Sequence, residues 1–254
     1  MILAIDIGNT NIVVGGFENN KVCFIERIST NKRSTALEYT VLIKTVLELN
    51  GLKDKHLDGG IISSVVPSVT NLVKDAVVRL TGKPVMVLGP GLKTGLKIKI
   101  DNPAQAGADL VAAAVAAVND YSSPLIVIDT GTATTITVVD KDENFIGGMI
   151  MPGLRASLEA LTGSTAQLPS ISLEAPKKVI GTNTVDCMRS GVIYGTACSI
   201  DGAIEQIEQE LGYKCNVVAT GGLAHVLSPL CKHQITIDDE LLLKGLMIIY
   251  NKNK

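Results

Sequence analysis

The sequence predicts an α/β fold built from two similar halves, and three observations predict it. The first is a repeated device: Asp6-Ile7-Gly8-Asn9-Thr10-Asn11 near the start and Asp129-Thr130-Gly131-Thr132-Ala133-Thr134 half a chain later, 123 residues apart. Each stands between two apolar runs (Ile2–Ile5 and Ile12–Val14, then Leu125–Ile128 and Thr135–Val139), the pattern of a β-hairpin with a polar turn. The second is composition: 46% hydrophobic residues but 3% aromatic, so a sizeable core has to be built from Val, Ile, Leu and Ala. The third is an alternation of strand-like and helix-like segments along all 254 residues, a length that suits two modest domains.

In the first half, Ile2–Ile5, Ile12–Phe17 and Val22–Ile28 read as three successive strands, with Gly15-Gly16 and Asn19-Asn20 supplying a bend and a turn. Thr35–Leu49 has helical spacing, with Leu37, Val41, Leu42, Thr45, Val46 and Leu49 along one side, and Gly51 stops it. Gly60–Ser63 is a buried strand, Pro67 opens a helix to about Leu80, and Pro84–Leu88 is another strand. Asn102-Pro103 is a turn, and the helix that follows to Val118 is rich in alanine, the residue of best helical propensity. The order βββαβαβ is that of a ribonuclease-H-like module. The second half repeats it: strands Leu125–Asp129, Thr134–Asp140 and Asn144–Ile150, a helix Gly153–Leu161, a long helix Thr184–Leu211, a strand Cys215–Ala219, a short helix Gly222–Leu227, a strand Gln234–Ile237 and a closing helix Asp239–Tyr250. With no low-complexity linker in between, the expected division is 1–118 and 119–254, each half a mixed five-stranded sheet with flanking helices.

A net charge of −2 without a long Lys/Arg run argues against nucleic acid as the main partner. The five cysteines (Cys23, Cys187, Cys198, Cys215, Cys231) are odd in number and dispersed, which fits reduced, buried thiols better than a disulfide framework. His56, His225 and His233 have no metal-ligand spacing. The N-terminal apolar segment has no basic leader and is interrupted by Asp6, and the longest apolar stretch, Leu110–Val118, is too short to span a bilayer. The expectation is a soluble cytoplasmic protein.

Three turns carry the chemistry. In Asp6–Thr10, Gly8 permits a ligand to approach the backbone, Asn9, Thr10 and Asn11 offer side-chain donors, and the Asp6 carboxylate at a strand end suits a hydrated Mg²⁺. Asp, Gly and Asn are also ordinary turn formers, but the repeat at Asp129 makes two unrelated turns a poor account of the pattern. The third, Ala219-Thr220-Gly221-Gly222-Leu223, is a Gly-rich strand-to-helix turn of the kind that faces anions or nucleoside groups. Together they match the nucleotide cleft of the acetate kinase, sugar kinase, Hsp70 and actin superfamily (the actin-like ATPase fold), in which ATP lies between two ribonuclease-H-like domains. Asp109 stands in the first turn of the Ala-rich helix, where the dipole favours a carboxylate; a phosphoryl-transfer enzyme needs such a group to orient a hydroxyl and take its proton, although an acidic residue there is also a common solvated arrangement.

The ordered series Asp6–Thr10, Ser63-Ser64-Val65-Val66-Pro67, Thr94-Gly95-Leu96, Asn102-Pro103, Gly107-Ala108-Asp109, Asp129–Thr135, Gly147-Gly148, Pro152-Gly153, Gln167-Leu168-Pro169, Asn183-Thr184, Ser190-Gly191, Thr220-Gly221-Gly222 and Gly245-Leu246 resembles type III pantothenate kinases over nearly the whole chain. The resemblance implies transfer of the γ-phosphoryl of ATP to the primary hydroxyl of pantothenate, the first step of coenzyme A synthesis. It implies Asp109 as proton acceptor; Asp6, Ile7, Gly8, Asn9, Thr10, Asn11, Ile12, Val13 and Thr132 as ATP-binding positions; and Gly107, Ala108, Asp109, Leu110, Ile100 and Thr184 at pantothenate. Asp129 matches the ligand of a required monovalent cation, K⁺ or NH₄⁺, and Asp6 is assigned to Mg²⁺. It also implies a homodimer with substrate pockets near its interface. The chain lacks a P-loop lysine motif, so two ions and two donor-rich hairpins take over neutralisation of the phosphates.

Three positions depart from the family pattern. Leu110 stands where members usually have Arg, Ala113 where they have Asn, and Ile100 where they have an aromatic, commonly Tyr. All three changes remove polar groups from the side that meets an anionic substrate. They leave open two alternatives: a small-molecule kinase of the same fold with a different, less anionic alcohol, or a nucleotide-binding regulatory protein with little turnover. Lys93, Lys97 and Lys99 are candidates for compensating charge or plain exposed strand lysines, and Arg155 and Arg189 are equally open.

Overall fold

The structure, a computed structural model, describes residues 1–52, 57–165 and 168–254. His56 and Gln167 of the sequence reading lie outside these described residues. The chain divides into two compact units, Met1–Leu96 with Asp101–Ala116 and Glu240–Lys254, and Lys97–Ile100 with Ala117–Asp239.

In the first unit, strands β1 (Ile2–Ile7), β2 (Asn11–Glu18) and β3 (Lys21–Ser29) form an antiparallel meander. Strand β4 (Gly59–Ser64) pairs parallel with β1, and β5 (Val85–Val87) parallel with β4, giving the order β3-β2-β1-β4-β5. Asn19 and Asn20 make the β2–β3 turn at positive φ (50° and 62°), a conformation that Asn tolerates better than most residues. Helices α1 (Ala36–Leu49) and α2 (Pro67–Thr81) pack on each other, and their apolar residues join Leu3, Ile5, Ile7, Ile12, Val14 and Ile62 in one core.

Helix α1 opens on a capping box: Glu38 N donates to Thr35 Oγ1 (3.3 Å) and Thr35 N to Glu38 Oε2 (2.6 Å). Its buried stripe is Tyr39, Ile43, Val46 and Leu47. Of the side expected from spacing, Leu37 (59% exposed), Val41, Leu42 and Leu49 (80%) face solvent. The helix is apolar nearly all round, so period alone admits two faces, and contact with the sheet and α2 selects one.

The opposite face of this sheet carries helix α7 (Leu241–Lys252), which packs on β1 and β4. A Cβ at Gly245 would lie 1.8 Å from the Ala112 carbonyl oxygen, so this glycine lets α7 press against α3 (Ala108–Asp120). The closing helix thus groups with the first unit, not with the second half of the chain where the sequence reading put it.

In the second unit, β7 (Leu125–Thr130), β8 (Ala133–Val139) and β9 (Asn144–Pro152) repeat the meander, and β10 (Asn216–Thr220) and β11 (Thr236–Ile237) extend it in parallel beside β7. A short strand β6 (Lys97–Ile98) adds parallel to β9, so this sheet has six strands, β11-β10-β7-β8-β9-β6, against the five expected. Two residues carry too little pattern to be read as a strand. Helices α4 (Leu154–Gly163) and α5 (Thr184–Leu211) bury Leu158, Met188, Ile193, Ile200 and Ile204 against Ile126, Ile128, Ile136 and Val217. Helix α6 (Ala224–Leu227) is a single turn followed by a 3-10 turn, shorter than the expected Gly222–Leu227 helix.

Cys215 and Cys231 are partly buried, and burial pushes both thiols up to about 11; Cys23, Cys187 and Cys198 are exposed, against the expectation that all are buried. Among the described residues no helix is long and apolar enough to cross a membrane.

Candidate active site

The first hairpin closes between Ile7 and Ile12, leaving Gly8–Asn11 as the turn, with Gly8 N donating to Asn11 O (3.0 Å). Thr30, just past β3, holds this turn from the side: its N–H donates to Thr10 O (3.0 Å) and its Oγ1 to Gly8 O (2.7 Å). Two turn carbonyls are therefore occupied, which takes their negative ends away from any anion. The exposed face keeps the side chains of Asn9, Thr10 and Asn11. Ile7 and Ile12 are wholly buried in the core. Asp6 is half-buried at the last turn-proximal position of its face, in register with Val13 on β2 and Ser63 on β4.

The second hairpin closes between Thr130 and Thr134 with Gly131–Ala133 as its turn, one residue shorter, and Gly131 N donates to Ala133 O (3.0 Å). Glycines enclose it. A Cβ at Gly153 would lie 2.4 Å from Thr132 O, and one at Gly221, whose φ is +94°, 2.4 Å from Asp129 Oδ1. Thr130 Oγ1 donates to Thr220 O (3.1 Å), tying this turn to the end of β10. The Asp129, Pro152-Gly153 and Thr220-Gly221-Gly222 segments, far apart in sequence, thus form one cluster. The single turn of α6 is too short for its dipole to matter, so this cluster offers loop N–H groups rather than a helix N-terminus.

Asp109 lies half-buried in the first turn of α3, where Leu110 N donates to its Oδ1 (2.8 Å). A Cβ at Gly107 would stand 2.5 Å from that Oδ1, so a side chain there would turn the carboxylate away from the place it holds. Burial raises the Asp109 pKa above the ordinary carboxylate value, and the N–H groups of Leu110 and of Asp109 itself offset part of that rise. A carboxylate moved toward neutral pH is a better proton acceptor than a fully solvated one. Gly107, Ala108 and Leu110 are half-buried beside it, and Ala113 is buried. Asn102 Oδ1 accepts from Ala104 N (3.1 Å) and shapes the approach to the helix.

The remaining predicted substrate residues lie in the second unit. Ile100 is next to Gly147, 4.0 Å from where a Cβ there would stand. Thr184 opens α5 behind the Asn183 cap, whose Oδ1 accepts from Asp186 N (2.9 Å), and it lines an open groove of about 950 Å³ with Met151, Cys187, Gly191 and Gly195. Arg189 donates to Ser172 O and Oγ and pairs with Glu174, a structural tie. His225 pairs with Asp239 and His233 with Asp201, and no metal-binding cluster of His, Cys, Asp and Glu occurs among the described residues. Sequence reasoning missed Thr30, which has no local motif and reaches the turn only through the β3 register. It found Ser63 and Gly153 as motif positions without a role.

Residues 2–206 match the family described as type III pantothenate kinase. The chain belongs to the type III pantothenate kinase family. It is 40% identical over 253 residues to the type III pantothenate kinase of Halalkalibacterium halodurans and 41% identical over 254 residues to that of Exiguobacterium sibiricum, covering 100% of both chains in each case. As a member of this kinase family with an actin-like ATPase fold, it is an enzyme that uses ATP and a divalent metal. Among solved structures, component A of the (R)-2-hydroxyglutaryl-CoA dehydratase of Acidaminococcus fermentans aligns with TM-score 0.59 at 14% identity, over 100% of this chain and 99% of that one. The activator of the 2-hydroxyisocaproyl-CoA dehydratase of Clostridium difficile, with bound ADPNP, aligns with TM-score 0.57 at 14% identity, over 99% and 94%. Both show the shared fold.

Proposed function

We propose that this type III pantothenate kinase family member phosphorylates pantothenate from ATP, and that Asp109 is its proton acceptor. The observation that carries the assignment of Asp109 is its half-buried carboxylate, cleared by Gly107 and raised in pKa by burial. In this reading Asp109 accepts a hydrogen bond from the primary hydroxyl of pantothenate, aims its oxygen at the γ-phosphorus, and takes the proton as the O–P bond forms and the bond to the β-phosphate bridging oxygen breaks. Asn9, Thr10, Asn11 and Thr132 donate to phosphate oxygens.

The carboxylates fit the ions. Asp6, at a strand end beside a buried hydroxyl, is an oxygen donor suited to Mg²⁺ and its waters, and Asp129, held against Gly221, suits the monovalent cation, K⁺ or NH₄⁺. These ions supply charge neutralisation at the phosphates; Asp6 and Asp129 orient them. A homodimer is supported by the open groove along α5, where Gly191 and Gly195 leave the helix surface uncovered beside Met151, Met188 and Val192. A cytoplasmic location follows from the same reading of the reaction.

Leu110, Ala113 and Ile100 support a second reading, the same chemistry on a less anionic alcohol. ADP release with Mg-ATP and KCl, with and without pantothenate and then with a panel of alcohols, separates the two. Turnover that depends on pantothenate supports the first; turnover with another alcohol alone supports the second; nucleotide binding without turnover on any of them sinks both.

A further inference from the structure

Ser63 lies at the last-but-one position of β4, with no solvent exposure (0%), and its Oγ makes no hydrogen bond to any described residue. An unmet hydroxyl in a core is a cost that alanine would avoid, and the strand positions before it are Gly60, Ile61 and Ile62. The next residue shows the usual solution: Ser64 Oγ accepts from Val66 N (3.1 Å) and from Thr70 Oγ1 (2.8 Å). What singles out Ser63 is its neighbour. It is in register with Asp6 across the parallel β1–β4 pair, so the two side chains leave the same sheet face from adjacent strands, about 4.8 Å apart at the backbone. On the other side Asp6 faces Val13, which has no polar side-chain atom.

The second unit repeats the placement. There β10 runs parallel to β7, and the residue in register with Asp129 is Thr220, 4% exposed. The local sequences, Ser63-Ser64-Val65-Val66-Pro67 and Thr220-Gly221-Gly222-Leu223, have nothing else in common. A hydroxyl beside the hairpin carboxylate in both halves points to a demand of the carboxylate rather than of either strand.

We propose that Ser63 is a positioning residue for the divalent cation held by Asp6, its enclosed hydroxyl turning to donate to the Asp6 carboxylate and so fixing the oxygen left for the cation. This rests on the reading of Asp6 as the Mg²⁺ residue. An ionised carboxylate accepts at both oxygens; with the Ser63 Oγ–H on one oxygen of Asp6, the other is left to the cation and its waters, and this contact needs no solvent to reach the enclosed hydroxyl.

The test uses the full chain and melting temperature, with Mg²⁺ titrated at a fixed ADP concentration, for wild type, Ser63→Ala and Ser63→Thr. The expected result is that Ser63→Ala melts at or above the wild-type temperature without ligand, while its half-saturating Mg²⁺ concentration rises about tenfold, the loss of one hydrogen bond to a charged group. Ser63→Thr, which keeps the hydroxyl, returns that concentration close to wild type whatever its added methyl does to the ligand-free melting temperature. An unchanged Mg²⁺ requirement in Ser63→Ala overturns the proposal, and so does a ligand-free melting temperature that falls, which marks a structural hydroxyl. If wild-type protein shows no Mg²⁺-dependent stabilisation by ADP, the reading of Asp6 itself fails.

Discussion

Asp109 carries two opposed demands, and its variants separate them. Its folded-state pKa lies above the unfolded value, so its contribution to stability is fully present below the unfolded pKa and is lost as pH rises through the folded one. At neutral pH the ionised carboxylate is therefore a cost, one that the proposed role of Asp109 as proton acceptor would require. Asp109→Asn is expected to lower turnover by about 10²- to 10⁴-fold, to leave nucleotide-induced stabilisation intact, and to raise the melting temperature at pH 7; retained turnover removes Asp109 as the base. The same shift places the acidic limb of the kcat/KM profile, which reports the free enzyme, above the ordinary Asp value of about 3.9, and a pH series measures it directly. One residue on, Leu110 is half-buried and apolar where the resemblance read from the sequence implies a guanidinium. Leu110→Arg is expected to lower KM for pantothenate by about tenfold, with kcat little changed. An unchanged KM means that Leu110 does not meet the substrate carboxylate.

At the scale of elements, the two hairpins are alike in pattern and different in support. The first turn is held by one side chain from β3, Thr30, through Gly8 O and Thr10 O. Thr30→Val keeps the shape and deletes the hydroxyl bond, so a loss of about 1 kcal/mol in stability is expected, with KM for ATP raised severalfold and KM for pantothenate unchanged. The second turn is held by close backbone approach. Gly221 combines a φ of +94° with contact on Asp129, so Gly221→Ala meets both backbone strain and a clash. It is expected to cost about 1–3 kcal/mol and to reduce the monovalent-cation activation proposed for Asp129, read as the ratio of rates in KCl and in a large organic cation chloride. Asp6 and Asp129 were legible because a short polar motif recurs between apolar runs. Thr30, and the union of Gly153 with Gly221 around Asp129, were not, since sheet register and not sequence distance brings them together.

For the molecule as a whole, the surprise is where the chain end goes. Residues Glu240–Lys254 belong to the first unit, with α7 on β1 and β4 and Gly245 against Ala112 of α3. The helix that carries Asp109 is therefore packed against the last helix of the chain. Gly245→Ala is expected to destabilise by about 1–3 kcal/mol through overpacking, measured by urea unfolding, and to lower turnover because α3 shifts with it. A stability unchanged from wild type would mean that α7 and α3 separate at no cost. By itself the sequence determined the α/β class, the order and nearly the bounds of the elements, and the acidic hairpins, since each of these is written in local periodicity, turn chemistry and composition. It did not determine which of two apolar sides of α1 is buried, that Lys97–Ile98 adds a sixth strand to the second sheet, that α7 closes the first unit, or that a buried hydroxyl stands beside each hairpin carboxylate. Those depend on pairing and packing between residues far apart in the chain, and only the folded structure decides them.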